Sequence, residues 1–325
     1  MSKLTGTDLK PEEFGMFPPF YTDFGCNISF GKHVFVNAGC RFQDQGGITI
    51  GDGAIAAASA SSAEEGQTMI SKNDVYTVYE TDFARHGKRI YGNLYLPDTG
   101  AEKVPTVVLS HGYEGSYSEM AAYAEVFAQN GFAAYVFDFC GGSYNSKSDG
   151  ATTEMSVLTE EADLTAVLDG LSSLNVIDTD RLFLMGESQG GMVSALTAAD
   201  NQARVRALVL LYPALVIPDN ARALYSSADQ VPDTMDLMGM KVGKIYYTDV
   251  LQMDVYQEIK SYTGVVLILH GDQDTLVPIS YSERAAKEYP SASLTVIKGG
   301  GHGFYGTQLT EAANDAADFL KSQLS

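Results

Sequence analysis

The sequence predicts an α/β fold, a mostly parallel sheet of eight strands with helices on both faces and an inserted cap. Apolar runs of strand length recur from residue 75 onward, at 75–83, 89–97, 105–110, 133–139, 181–186, 206–213, 264–270 and 293–298. From the third run on, helical segments or longer connections separate them, 120–130 and 157–174 being the clearest. Apolar strands alternating with helices build a parallel sheet buried on both faces. The first two runs are joined only by a turn at Arg85-His86-Gly87-Lys88, which predicts an antiparallel hairpin. One connection is too long for a plain crossover. The stretch at about 214–263, rich in Met and Tyr, reads as a cap over the strand ends.

Residues 1–53 follow another rule. Asn27-Ile28-Ser29-Phe30-Gly31 and Gly47-Ile48-Thr49-Ile50-Gly51 repeat an apolar-x-apolar-Gly pattern suited to the stacked coils of a β-helix. A linker is expected at 54–66, and the main domain at 67–325. So short a β-helix-like fragment cannot bury a core alone. It must pack on the main domain, pack on another copy in a homo-oligomer, or stay poorly ordered. Phe17, Phe20, Phe24, Phe30 and Phe35 supply aromatic surface to be buried in one of these ways.

Composition narrows the partners. A net charge of −20 repels nucleic acid and anionic membranes, so neither is expected. Residues 1–13 are polar, and no apolar run reaches membrane-spanning length, which predicts a cytoplasmic protein without a signal peptide. Cys26, Cys40 and Cys140 have no metal-ligand spacing, so free thiols and no metal site are expected, with Cys140 buried at a strand end.

The chemistry is written in Gly186-Glu187-Ser188-Gln189-Gly190-Gly191. It fits G-x-S-x-G, and it lies between a buried strand (181–186) and a helical segment (192–199), the context in which such a serine projects above the sheet on a sharp turn. A serine hydroxyl needs a base. Of five histidines, His33 lies in the N-terminal fragment, His86 in a polar turn, and His111 and His270 at strand ends where a ring supports a loop. His302 remains, in a glycine-rich loop that can carry an imidazole over a neighbouring strand. The carboxylate that holds it is expected at Asp274, with Asp272 capping the turn. Backbone N–H groups of Gln189, at the helix start, and Tyr113, in the loop after 105–110, are the expected oxyanion donors. No cofactor is needed.

With this strand order, elbow, Asp loop and His loop, residues 67–325 resemble the α/β-hydrolase superfamily, whose triad order Ser188, Asp274, His302 matches. His111-Gly112 followed by an aromatic, Asp138-Phe139 with Gly141-Gly142-Ser143, the elbow itself and a compact cap are similar to bacterial cinnamoyl and feruloyl esterases. That resemblance implies a small-molecule substrate, a plant-derived ester of a hydroxycinnamic acid with a sugar or quinate. Cys140-Gly141-Gly142-Ser143-Tyr144 departs from the Gly-His-Gly-Ser loop common in relatives. Tyr113, Tyr225, Tyr246, Tyr247 and Tyr256, with Met235, Met238, Met240 and Met253, are expected to line an aromatic acyl pocket. An acetyl esterase, or a peptidase of the prolyl-oligopeptidase or aminopeptidase type, is the alternative. The peptidase needs an acidic anchor, for which the cap offers Asp219, Asp229, Asp233 and Asp236. Residues 18–53 resemble the start of the left-handed β-helix of maltose and galactoside O-acetyltransferases. That pattern stops at about Ala54, before the coils that hold the acetyl-CoA site, which disfavours an acetyltransferase.

Overall fold

The computed structural model describes residues 67–324 and, before them, the Lys32–His33 turn and seven short strands: β1 (Phe14–Met16), β2 (Tyr21–Thr22), β3 (Ile28–Phe30), β4 (Val34–Val36), β5 (Arg41–Phe42), β6 (Ile48–Ile50) and β7 (Ile55–Ala56). The chain divides into two compact units, Met1–Ala63 and Glu64–Ser325. In the first, β1 pairs with β4, β4 with β7, β2 with β5 and β3 with β6, all in parallel. Each partner stands 20 residues further on, since Phe14 faces Val34, Tyr21 faces Arg41, Ile28 faces Ile48 and Phe35 faces Ile55. Three parallel ladders advancing by one constant repeat are how a three-sided β-helix stacks its coils. The linker expected at 54–66 lies outside the described residues apart from Ile55–Ala56, as do Phe17, Phe20, Phe24, Cys26 and Cys40.

The second unit is built on a nine-stranded sheet. Its strands are β8 (Thr68–Lys72), β9 (Tyr76–Glu80), β12 (Gly92–Pro97), β13 (Val104–Ser110), β14 (Ala133–Phe137), β15 (Ile177–Glu187), β16 (Val205–Leu211), β19 (Val265–Gly271) and β20 (Ala292–Ile297). They run in the order β20-β19-β16-β15-β13-β14-β12-β9-β8. The six from β20 to β14 are parallel, and β12, β9 and β8 join antiparallel. The expected count of eight misses β8, an edge strand whose five residues are all exposed and so show no inside-outside alternation. The expected hairpin forms as β9 against β12, but the His86-Gly87 turn closes a smaller ladder between them, β10 (Phe83–Arg85) with β11 (Lys88–Ile90). Both turn residues have positive φ, as a tight two-residue hairpin turn requires.

Period-two alternation fills both faces. Val107, Leu109, Phe183, Met185, Val209 and Leu211 pack with helices α1 (Ala121–Gln129) and α7 (Thr307–Ser322) in one cluster. Val108, Leu184, Leu208 and Leu210 are equally buried on the other face. There α2 (Val157–Ser172) and α3 (Ser188–Asp200) pack on each other, and α3 packs on β15 and β16. Among the described residues, no helix is long and apolar enough to cross a membrane.

The connection from β16 to β19 carries α4 (Ile217–Leu224), an antiparallel hairpin of β17 (Thr234–Leu237) and β18 (Met240–Gly243), α5 (Ile245–Thr248) and α6 (Val255–Ile259). It is fastened to the segment that leads into α2. Thr152 Oγ1 donates to Lys241 O at 2.6 Å, and Ser156 Oγ, which caps α2, donates to Asp249 Oδ2 at 2.6 Å.

Candidate active site

Parallel strands in register bring their carboxyl ends to one level. Ser110 pairs with Gly186, Glu187 with Leu211 and Leu211 with Leu269, so the loops after β13, β15, β16 and β19 emerge side by side. Ser188 follows β15 directly and opens α3 with φ of 49°, a left-handed conformation that a non-glycine residue adopts only when its surroundings enforce it. Gly190 is part of that enforcement. A Cβ there would lie 2.2 Å from His111 O and 2.6 Å from Ser110 O, both backbone atoms, so only glycine lets the turn sit against β13.

The histidine loop and the aspartate loop are fastened to each other. A Cβ on Gly271 would lie 2.2 Å from Gly300 O, and that same carbonyl accepts from Gln273 N at 2.8 Å. Asp272 Oδ1 accepts from Gly299 N at 2.7 Å, a bond across the two loops rather than the cap of its own turn expected of it. Asp274 lies within, its side chain fully buried. Its Oδ1 accepts from Leu276 N and Val277 N at 2.9 Å each, and its Oδ2 accepts from His302 Nδ1 at 2.8 Å. With Nδ1 carrying the proton, His302 Nε2 is free to accept from Ser188 Oγ, 2.8 Å away. Serine, imidazole and carboxylate therefore stand in one line of hydrogen bonds. The arrangement can move the serine proton to the imidazole and hold the resulting charge beside a buried carboxylate.

The other described histidines do different work. His111 Nδ1 donates to Gly112 O at 2.7 Å while its Nε2 accepts from Phe139 N at 3.2 Å, and burial lowers its pKa. His270 Nδ1 accepts from Ser282 Oγ at 2.7 Å, while its Nε2 donates to Val277 O at 3.0 Å and lies 3.2 Å from Asp274 Oδ2. Burial again favours the neutral ring. His270 thus shares the carboxylate with His302 and braces it from behind. His33 is exposed in its turn.

Gln189 is the second residue of α3, so its backbone N–H is among the first four of the helix, which have no acceptor in the helix itself. The Gly112-Tyr113 peptide passes close by, because a Cβ on Gly112 would lie 3.3 Å from Ser188 Cβ. A cavity of about 330 Å³ is lined by Ser188, His302, Gly112, Gln189 and the aromatic rings of Tyr113, Tyr246 and Tyr247. Two of the five tyrosines expected there lie elsewhere. Tyr225 packs against Tyr247 at 5.4 Å with its hydroxyl toward Met235 Sδ, and Tyr256 donates to Tyr281 O at 3.1 Å under the Arg284 guanidinium. Of the four cap methionines only Met238 lines the cavity, and none of the four cap aspartates does. Met240 is instead fully buried within the cap.

Other residues join the site without having been expected. The Tyr212 ring meets His302 edge-on at 4.9 Å, and its hydroxyl donates to Glu187 Oε2 at 2.7 Å. Glu187 and Glu119 line the same cavity. Glu119 keeps part of its surface in solvent, yet desolvation first and the neighbouring Glu187 second push its carboxyl up to about 7. Glu160, behind the cavity on α2, is buried and pushed up to about 8, chiefly by desolvation. Among the described residues no cluster of His, Cys, Asp and Glu could hold a metal ion. Cys140 is a buried free thiol, which burial pushes up to about 12.

A serine elbow at the end of the central parallel strands, faced by a histidine loop and covered by an inserted cap, defines an α/β-hydrolase. The chain has that fold and is similar to hydrolases of the esterase and lipase type. A family model described as serine aminopeptidase, S33, matches residues 101–248. The solved structure of Est1E from Butyrivibrio proteoclasticus with ferulic acid bound is 28% identical, covers 75% of this chain and 99% of that one, and superposes with a TM-score of 0.69. The monoacylglycerol lipase of Mycolicibacterium smegmatis is 25% identical over 236 residues, 62% of this chain and 82% of that one. A separate short match, 50% identical over 36 residues, is to nodulation protein L of Rhizobium meliloti, 11% of this chain and 20% of that protein.

Proposed function

We propose that this protein is a serine carboxylic-ester hydrolase acting through an acyl-enzyme, with hydroxycinnamate esters as substrates. The hydrogen-bonded line from Ser188 through His302 to buried Asp274 carries the proposal. Ser188 Oγ attacks the ester carbonyl as His302 Nε2 takes its proton, and the backbone N–H groups of Tyr113 and Gln189 hold the oxyanion. The alcohol leaves with the proton from His302. Water then enters, His302 takes its proton in turn, and the carboxylic acid is released from Ser188.

Two observations support an aromatic acyl group. Tyr113, Tyr246 and Tyr247 wall the cavity, and a relative of similar fold binds ferulic acid. Burying a phenyl ring contributes roughly 2 kcal/mol, a preference of about thirtyfold if the ring is held in the transition state. The test is kcat/KM for methyl ferulate, methyl p-coumarate and an acetyl ester of matched leaving group. A preference for the aromatic acids is expected, and a preference for acetate makes the protein an acetyl esterase. One observation favours a second reading, a peptidase. Glu119 and Glu187 line the cavity beside Ser188 and offer an anchor for a free amino terminus. Faster turnover of an aminoacyl-amide than of any ester in the same panel would establish that reading instead.

A further inference from the structure

The Gln189 side chain is held at both of its polar ends. It is buried, its Nε2 donates to Glu160 Oε2 at 2.8 Å, and its Oε1 accepts from the Tyr246 hydroxyl at 2.8 Å. Met155 Sδ is a further contact of Nε2, at 3.6 Å. Glu160 comes from α2 and Tyr246 from α5 in the cap, so three elements meet on one amide. A buried amide strongly favours the one placement that satisfies it, so these two partners dictate where Gln189 sits. Tyr246 reaches further, its ring meeting the Tyr113 ring edge-on at 5.7 Å. Tyr113 is tied to the cap a second time, its hydroxyl donating to Leu237 O at 3.0 Å. The cap thus grips the side chains of both residues whose backbone N–H groups face the developing oxyanion in the proposed mechanism.

We propose that Glu160 and Tyr246 are positioning residues for the oxyanion site, clamping Gln189 between α2 and the cap so that the cap orients the two backbone donors as well as covering the pocket. The inference rests on Ser188 as nucleophile and on Tyr113 and Gln189 as donors. A donor counts only when it lies within hydrogen-bonding reach of the oxygen as it becomes an oxyanion, so a slight turn of Gln189 weakens the transition state and leaves the bound ester little changed. The Tyr246 hydroxyl is engaged with Gln189, so its removal spares the ring that walls the cavity.

The test uses the full-length chain with Tyr246→Phe, Glu160→Ala and Glu160→Gln, assayed on methyl ferulate and on a trifluoromethyl ketone. In the wild type the Ser188 oxygen bonds to the ketone carbon, its proton passes to His302, and the ketone oxygen becomes an oxyanion. Tyr246→Phe and Glu160→Ala are expected to lower kcat about tenfold with KM within about twofold, and to weaken the ketone by the same factor. Glu160→Gln keeps an acceptor for Gln189 Nε2 and is expected to stay within about threefold of wild type on both measures. Melting temperatures check that each variant folds, and Tyr246→Phe carries the test alone if Glu160→Ala does not. Unchanged kcat and ketone affinity in Tyr246→Phe, or a loss confined to KM, overturns the positioning role while the wild-type adduct at Ser188 keeps the mechanism standing. A wild type that forms no ketone adduct at Ser188 overturns the mechanism and this inference with it.

Discussion

Replacing Asp274 with Asn alters the proton pattern of the site while leaving its shape almost untouched. The carboxylate accepts at every contact: Leu276 N and Val277 N on Oδ1, His302 Nδ1 on Oδ2, with His270 Nε2 also within 3.2 Å of Oδ2. An asparagine keeps the two backbone bonds by placing its carbonyl oxygen at Oδ1, which leaves its NH2 facing His302. Nδ1 must then accept, the ring proton moves to Nε2, and no lone pair remains for the Ser188 proton. The corresponding change in the serine-protease triad lowers kcat about 10⁴-fold, equivalent to roughly 5.5 kcal/mol of transition-state stabilisation. That figure is expected here for kcat on a nitrophenyl or ferulate ester, with circular dichroism unchanged. Asp272→Asn is the control. Its Oδ1 accepts only from Gly299 N, and an asparagine oxygen does the same, so activity should stay within about threefold of wild type. A folded Asp274→Asn that retains a tenth or more of wild-type activity, or an Asp272→Asn that is the more damaging change, would contradict this role for Asp274.

Three further outcomes follow from other contacts. Gly190→Ala places a Cβ against backbone oxygens of β13 that cannot move alone, so it should cost roughly 3 kcal/mol and lower the melting temperature by about 5–10 °C. Tyr247→Ala should raise KM for methyl ferulate several-fold, whereas Tyr256→Phe, whose ring lies outside the cavity, should leave both constants unchanged on the same ester. Glu160 bears on stability through pH, because its carboxyl titrates at about 8 in the fold against 4.5 as the ordinary value. The folded chain holds the proton over that range and the unfolded chain releases it, so stability present below pH 4.5 declines until about pH 8. Glu160→Gln removes the effect, at about 1.4 kcal/mol for each pH unit of displacement, so its melting temperature should gain on wild type between pH 5 and 8.

The hydrogen-bonded line of Ser188, His302 and Asp274 was legible because each member lies in a loop whose neighbours limit what it can do. Ser188 stands between a buried strand and a helix, and His302 among glycines after the last strand. Asp274 could be separated from Asp272 by its place before Val277-Pro278. The cap was harder. Irregular segments have no period, so nothing in the residue order tells Tyr246 and Tyr247, which face the cavity, from Tyr225 and Tyr256, which do not. The order does carry a hairpin signal: Met235 and Leu237, then Met240 and Val242, alternate about a Met238-Gly239 turn. Glu160 also left a trace, lying on the helical stripe of Val157, Leu164, Val167 and Leu171, where a carboxyl must find a buried partner. Tyr212 left none. Its φ is 36°, and its ring lies edge-on to His302.

Whether Ser188 is the nucleophile is tested most directly by covalent labelling. A fluorophosphonate should add once to the intact protein, and peptide mapping should place the adduct on Ser188. The adduct should be absent from Ser188→Ala and form far more slowly in His302→Ala, with both variants folded. Labelling that persists in Ser188→Ala, or maps to another serine, contradicts the account.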